Sequence, residues 1–290
     1  MEKILDGKKV AAETEDLLKN RVEALKSTKG YTPTLATILV GKDPASATYV
    51  KMKGNACERV GMNSLKVELP ESTTTEELLN KIVELNNNSE ISGILLQHPV
   101  PSQINERACF DAIDVNKDVD GVTCLGFGNM AMGEEAYGSC TPQGIVRLLD
   151  YYDIETSGKD CVIIGRSHIV GSPMSILMAR NNKPGNCTVT LTHSKTRNLK
   201  EITRNADILI VALGKAEFVT ADMVKDGVCI IDVGITRVAS DITKTGWKLL
   251  GDVSFDEVKD RCSFITPVPG GVGPMTIAML LRNTLKSAKK

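Results

Sequence analysis

Tyr49 and Lys53 stand four residues apart in a segment whose apolar residues Ala45, Met52, Ala56 and Val60 recur at helical spacing. In a helix, residues four apart lie one above the other, so a phenol and an ammonium project together. A lysine acts as a base only after losing its proton, which requires burial or neighbours that lower its pKa. A partnered, half-buried Lys53 is therefore a candidate acid/base near neutral pH. Two other polar groups are placed to join it. Gln97 ends the apolar run Gly93–Gln97, and Asp120 lies in the turn Lys117-Asp118-Val119-Asp120-Gly121. Parallel sheets bind ligands just past the carboxyl ends of their strands, which is where both residues are expected. Turn formation ahead of Gly121 is the competing role for Asp118 and Asp120.

The elements that must hold these groups can be read from the same pattern. Gly7–Ser27 is charged, with Val10, Leu17, Leu18, Val22 and Leu25 on one side, which predicts an amphipathic helix. Thr34–Val40, Leu65–Leu69 and Gly93–Gln97 read as strands, with the Tyr49/Lys53 helix and a helix over Thr75–Asn87 between them. A further helix is expected near Glu106–Ile113. This alternation predicts a parallel sheet covered by helices. Gly126–Gly138 lacks periodicity and reads as an irregular linker, after which Thr141 as N-cap and Pro142 at N1 open a helix over Gln143–Tyr151.

The second half begins with a strand, Cys161–Ile164, a turn Gly165-Arg166-Ser167-His168-Ile169-Val170-Gly171, and a helix over Met174–Asn181. Strand, glycine turn, helix is the setting of a phosphate cradle, although only two glycines of the G-x-G-x-x-G pattern are present. Thr188–Thr192, Ala206–Leu213 and Val228–Val233 supply further strands of a dinucleotide-binding sheet. After Thr188–Thr192 comes His193-Ser194-Lys195-Thr196-Arg197, a hydroxyl and cations where NAD-specific units carry an acid. That composition favours the 2′-phosphate of NADP. The loop Pro267-Val268-Pro269-Gly270-Gly271-Val272-Gly273-Pro274 holds more prolines and glycines than a turn needs, and glycines let backbone approach a ligand closely. Ile277–Leu285 is apolar enough to pack back onto the first domain. The fold expected is α/β in two domains, residues 1–140 joined by a C-terminal helix over 273–290, and a Rossmann-type unit over 141–272.

The chain of 290 residues is 42% apolar and carries a net charge of −1, which gives no footprint for nucleic acid or an anionic membrane. No apolar run approaches a membrane span, and the first residues contain no signal-peptide core. Eight scattered cysteines without a C-x-x-C, and three separated histidines, make a zinc site or a disulfide framework unexpected and fit reduced thiols in the cytoplasm. No metal ligand set is expected.

Taken in order, Tyr49-x-x-x-Lys53, Leu95-Leu96-Gln97-x-Pro99, Lys117–Gly121, Cys140-Thr141-Pro142, Gly165-Arg166-Ser167-x-Ile169-Val170-Gly171, His193-Ser194-Lys195-Thr196 and Pro267–Thr276 resemble the bifunctional methylenetetrahydrofolate dehydrogenase/methenyltetrahydrofolate cyclohydrolase family along nearly the whole chain. The resemblance implies a homodimeric cytoplasmic enzyme that uses NADP and tetrahydrofolate derivatives. It oxidises 5,10-methylenetetrahydrofolate and hydrolyses the product to 10-formyltetrahydrofolate. It further implies that Lys53 is the acid/base of hydrolysis, that Gln97 holds and tunes it, that Tyr49 stacks near the substrate, and that Asp120 anchors the pterin. Pro267, Gly270 and Gly271 would line the folate side, and Gly165, Arg166, Ser167, Ser194 and Ile235 the cofactor side. His98 stands where that family usually has leucine, Ser139 replaces a usual proline, and the turn Asn181–Cys187 is longer than typical. The alternatives are another two-domain NADP dehydrogenase with an acid/base lysine, resembling shikimate dehydrogenase, and a folate- or nucleotide-binding protein without catalysis.

Overall fold

In the computed structural model, which describes residues 4–241, 243 and 246–288, the first helix, α1 (Gly7–Lys29), buries Val10, Leu18, Val22 and Leu25. Leu17, expected on that inner face, is instead 56% exposed. The paired lysines 289 and 290 and residues 1–3 lie outside the described residues. β1 (Thr34–Val40) follows, buried over nearly its whole length.

Asp43 caps the next helix, α2 (Pro44–Arg59), accepting from Ser46 N at 2.7 Å, and Pro44 at its start loses no hydrogen bond there. Its buried residues include Ser46, Val50 and Cys57, and Lys53 stands between the last two at helical spacing. The stripe expected from Ala45, Met52, Ala56 and Val60 is thus corrected in part: Ala56 and Val60 are buried, but Ala45 is exposed and Met52 is 47% exposed. Lys53 therefore occupies an inward position, which a count of apolar residues could not reveal.

β2 (Asn63–Leu69), α3 (Thr75–Asn87) and β3 (Gly93–Leu96) complete a three-stranded parallel sheet of order β2-β1-β3. A capping box starts α3, Glu77 N donating to Thr74 Oγ1 at 3.2 Å and Thr74 N to Glu77 Oε2 at 2.8 Å. Leu78, Ile82 and Leu85 of α3 pack on Ala36, Ile38 and Ile94 of the sheet, together with Phe110 of α4 (Glu106–Asp111). The segment expected to be irregular contains a helix, α5 (Cys124–Met132). Thr123 caps it, accepting from Gly126 N at 3.0 Å, and Gly133 ends it in the left-handed region at φ 81°. Its ends are made by caps, and its glycine- and methionine-rich body carries no amphipathic stripe.

α6 (Cys140–Tyr151) begins one residue before Thr141, the expected N-cap, whose hydroxyl instead bonds Thr276 Oγ1 at 3.0 Å. β4 (Asp160–Ile164), α7 (Gly171–Ala179), β5 (Thr188–Thr192), α8 (Leu199–Arg204), β6 (Ile208–Val211) and β7 (Cys229–Asp232) follow. A hairpin of β8 (Thr236–Ala239) and β9 (Trp247–Leu250), absent from the sequence reading, carries the Arg237 guanidinium 3.8 Å over the Trp247 ring. After α9 (Phe255–Val258), the two-residue β10 (Phe264–Ile265) joins a five-stranded parallel sheet of order β10-β7-β6-β4-β5. The last helix is α10 (Val272–Ser287).

The chain forms two compact units. One holds Ala12–Cys140 and the chain from Ile277, and the other holds the residues up to Ala11 and Thr141–Thr276. Residues 4–11, expected with the first unit, belong to the second because they extend its sheet. Ile4 bridges Ile265, Leu5 N donates to Ile265 O at 2.9 Å, and Lys8 N donates to Gly270 O at 3.0 Å. Each of the three passages between units falls inside a helix: α1, α6 and α10. No helix among the described residues is long and apolar enough to cross a membrane.

Candidate active site

The inward stripe of α2 points Lys53 at the end of β3. There Lys53 Nζ donates to Gln97 Oε1 at 2.9 Å. Gln97 is 8% exposed, and its amide nitrogen donates to His98 O at 2.8 Å, which turns the amide oxygen toward the lysine. Burial pushes the Lys53 ammonium below its ordinary pKa, while the Asp120 carboxylate pulls it back up. A lysine so placed exchanges its proton more readily than one in water. Tyr49, one turn earlier, is 38% exposed on the flank of the same helix. His98 contributes its backbone carbonyl here, its ring lying edge-on to Phe110 at 6.3 Å.

The two aspartates of the 117–121 turn part company. Asp118 is buried and accepts from Val122 N at 3.0 Å and Thr123 N at 2.9 Å, and burial still pushes its carboxyl up. It is the carboxylate that holds the turn. Asp120 is only partly buried and supplies the charge felt by Lys53. The Cys140 thiol, which residue-type reasoning did not place here, lies buried behind it. Cys140 Sγ donates to Val119 O at 3.3 Å and Cys140 N to Asp120 O at 3.3 Å. Burial drives that thiol well above its ordinary pKa, with Asp120 adding to the effect. It is a neutral packing group. Its contacts lie about twenty residues away in the chain, so no local pattern marks it.

In the second unit the chain leaves β4 for β5 on one side and returns to β6 on the other. Such a switch point opens a crevice beyond the carboxyl ends of the strands. Gly165, the first residue after β4, has φ 114°, and a Cβ there would come 2.2 Å from Ala212 O at the end of β6. At Gly171 a Cβ would come 2.0 Å from Gly165 O. The two glycines therefore close the turn against the start of α7, leaving a cradle of backbone that any side chain would fill. Arg166 and Ser167 are exposed on this turn, Ser167 Oγ accepting from Val170 N at 3.2 Å. Gly165 N donates to Thr192 O at 3.0 Å, which sets the β5 loop with exposed Ser194, Lys195 and Arg197 alongside. This donor set fits a phosphorylated ribose, with no carboxylate from His193 to Arg197 to repel it. Ile235 follows β7 and is 40% exposed.

Two buried carboxylates brace these loops. Asp252 accepts from Leu213 N at 2.6 Å, Gly214 N at 2.9 Å and Lys215 N at 2.7 Å. Asp232 accepts from Gly234 N at 2.9 Å, Asp252 N at 3.0 Å and Val253 N at 3.0 Å. Burial pushes the Asp232 carboxyl up to about 6 despite these bonds. Pro267, Gly270 and Gly271 follow β10 in this unit, with Gly271 N donating to Pro267 O at 2.8 Å.

Residues 5–120 match the family model described as tetrahydrofolate dehydrogenase/cyclohydrolase, catalytic domain, and residues 139–290 match that of its NAD(P)-binding domain. The chain belongs to the tetrahydrofolate dehydrogenase/cyclohydrolase family. A bifunctional protein FolD of Saccharophagus degradans is 58% identical over 287 residues, covering 99% of this chain and 98% of that protein. The bifunctional FolD structure from Campylobacter jejuni is 47% identical, with TM-score 0.93 over 99% of this chain and 98% of that one. The Trypanosoma brucei dehydrogenase-cyclohydrolase, solved with NADP and an inhibitor, is 36% identical, with TM-score 0.93 over 99% and 97% of the two chains. Within the family frame, the Lys53–Gln97–Asp120 cluster falls in the segment matched by the catalytic-domain model, and the Gly165 turn in that matched by the NAD(P)-binding model.

Proposed function

We infer that this chain catalyses two successive one-carbon reactions: NADP-dependent oxidation of 5,10-methylenetetrahydrofolate, then hydrolysis of 5,10-methenyltetrahydrofolate to 10-formyltetrahydrofolate. The observation that carries the hydrolytic half is the Lys53–Gln97 hydrogen bond in a setting that lowers the lysine's pKa. Oxidised NADP, when bound, supplies the hydride acceptor. Hydride loss from a methylene flanked by two nitrogens needs little acid/base help. Water addition and ring opening each need a proton moved. Neutral Lys53 takes the proton of the attacking water, and as an ammonium it returns one to the ring nitrogen that leaves. The hydroxyl proton of the adduct then goes to solvent, so one proton is released overall. The cationic methenyl substrate itself favours neutral Lys53 by charge repulsion.

Gln97 holds the amine in place, Asp120 anchors the pterin through its carboxylate, and Tyr49 stacks beside the substrate. Pro267, Gly270 and Gly271 offer backbone to the folate. Arg166, Ser167 and Ser194 bind phosphate and ribose at the Gly165 turn, and Ile235 lies against the cofactor. The first unit is the folate-binding domain and the second the NADP-binding domain. A cytoplasmic homodimer completes the reading, supported by β5, an outer strand with Leu191 exposed on it, since a bare sheet edge favours a covering partner. The test is a spectrophotometric assay with methylenetetrahydrofolate and either NADP+ or NAD+, run beside methenyl hydrolysis. Rapid NADPH formation is expected; no reduced cofactor at micromolar enzyme sinks the reading.

A further inference from the structure

Asp120 is held from behind by a residue far away in sequence. Asn283, on α10, is 7% exposed and directs its carboxamide nitrogen at two carbonyls, Val119 O at 2.9 Å and Tyr137 O at 3.3 Å. The same nitrogen lies 3.7 Å from Cys140 Sγ. A primary amide has two N–H donors, and here the two carbonyls use both. All three contacts flank the groups around Lys53: Val119 precedes Asp120, and Tyr137 and Cys140 bound the strand of chain that pairs with it. That pairing runs through Cys140 N to Asp120 O at 3.3 Å and Ser139 Oγ to Gly121 O at 3.0 Å. One helical turn beyond Asn283, the single Ser287 hydroxyl lies within hydrogen-bond reach of Ser92 O and Asn116 O, so the same face of α10 also meets the chain ahead of the turn.

The geometry points to Asn283 as a positioning residue for Asp120, fixing the backbone on either side of it. The Asn283 amide bonds to the backbone at Val119 and Tyr137, and it acts through the direction in which the 119–121 backbone aims Asp120. Buried carbonyls that lose their donors seek new partners, so removing the amide lets this backbone drift. Asp120 then holds the pterin less well and supports the charge on Lys53 less. This inference rests on the roles proposed above for Asp120 and Lys53.

The experiment compares Asn283→Ala, Asp120→Asn and the double variant with the parent enzyme. It measures KM for methylenetetrahydrofolate and NADP+, kcat for NADPH formation, and the pH midpoint of methenyl hydrolysis. For Asn283→Ala the expectation is a rise of about tenfold in folate KM, as for one lost charge-assisted contact, with NADP+ KM unchanged. The hydrolysis midpoint moves to lower pH, because Asp120 ordinarily holds the Lys53 pKa up. Both effects disappear when Asp120 is already asparagine, since Asn283 acts through it. Loss of kcat alone, with folate KM and pH midpoint unmoved, shows a merely structural amide and overturns the inference. So do effects that add in full to those of Asp120→Asn. If Asp120→Asn itself changes neither folate KM nor the midpoint, the reading of Asp120 has failed instead. Should Asn283→Ala not fold, Asn283→Ser, too short to reach Val119 O but still polar, is judged by the same measurements.

Discussion

Replacing Gln97 in two ways tests the proton-shuttle reading by sign as well as size. The amide oxygen of Gln97 lies 2.9 Å from Lys53 Nζ, and in Gln97→Glu a full negative charge takes its place. At that distance and an effective dielectric of about 20, the added attraction is about 6 kcal/mol. Burying the new carboxylate takes back roughly half of it. The remainder, about 3 kcal/mol, raises the Lys53 pKa by about two pH units. In Gln97→Leu the ammonium instead loses a hydrogen bond worth about 1.5 to 3 kcal/mol, and its pKa falls by roughly one to two units. Initial rates of methenyl hydrolysis followed by absorbance from pH 5.5 to 9.5 give the ascending limb for each variant. The limb moves to higher pH in Gln97→Glu, costing about a hundredfold in rate below the midpoint, and to lower pH in Gln97→Leu. NADPH formation changes much less in both. Folded variants whose limbs stay put, or move in the same direction, refute the reasoning.

Lys53→Met is expected to abolish hydrolysis while hydride transfer to NADP+ stays measurable; equal loss of both rates, with folate binding intact, contradicts the division of roles. Gly165→Ala forces a Cβ to within 2.2 Å of Ala212 O and strains a backbone at φ 114°, so NADP+ titrations should show binding weakened by at least about tenfold, with methenyl hydrolysis retained. Asp232, with its carboxyl pushed up to about 6, titrates well above its ordinary range. Between pH 4 and 6, roughly, the native state therefore holds more protons than the unfolded chain, so stability from this group falls as pH rises, by on the order of 3 kcal/mol in all. Melting curves from pH 4 to 7 should show that loss below about pH 6, and Asp232→Asn should flatten it; a variant that keeps the parent slope places the effect elsewhere.

The sequence disclosed most where one physical signal dominated. The run Thr34–Val40 between a proline and a glycine became β1, and the Thr74–Glu77 capping box sits at the start of a helix with the bounds read from its pattern. Where signals conflicted, the reading failed in identifiable ways. Of the stripe expected in α2, Ala56 and Val60 are buried while Ala45 and Met52 are exposed, and the inward, half-buried Lys53 counts as polar in any periodicity. α5 stayed hidden because caps rather than a stripe define it. β8 and β9 are half exposed and lack the continuous apolar run that marks β3, β6 and β7, and β10 has only two residues, so none stands out from loop. The early residues pair with Ile265 of the second unit, a contact remote in the chain that no local pattern marks. At the candidate site, residue types and resemblance named Lys53, Gln97 and Asp120, but Cys140 and Asn283 act through contacts that only folding creates.

The passage of the chain between its two units through three helices bears on how the protein is made. Domains commonly fold in order as they leave the ribosome. Here residues 12–140 emerge early, yet their unit lacks Asn283 and Ser287 until the last helix is synthesised. The second unit likewise waits for residues 141–276 to rejoin a segment made at the outset. Neither half is a contiguous stretch of gene, so neither can be obtained by simple truncation. A ribosome that stops before residue 277 leaves the unit bearing Lys53 unfinished, and quality control meets an incomplete unit rather than a shortened enzyme.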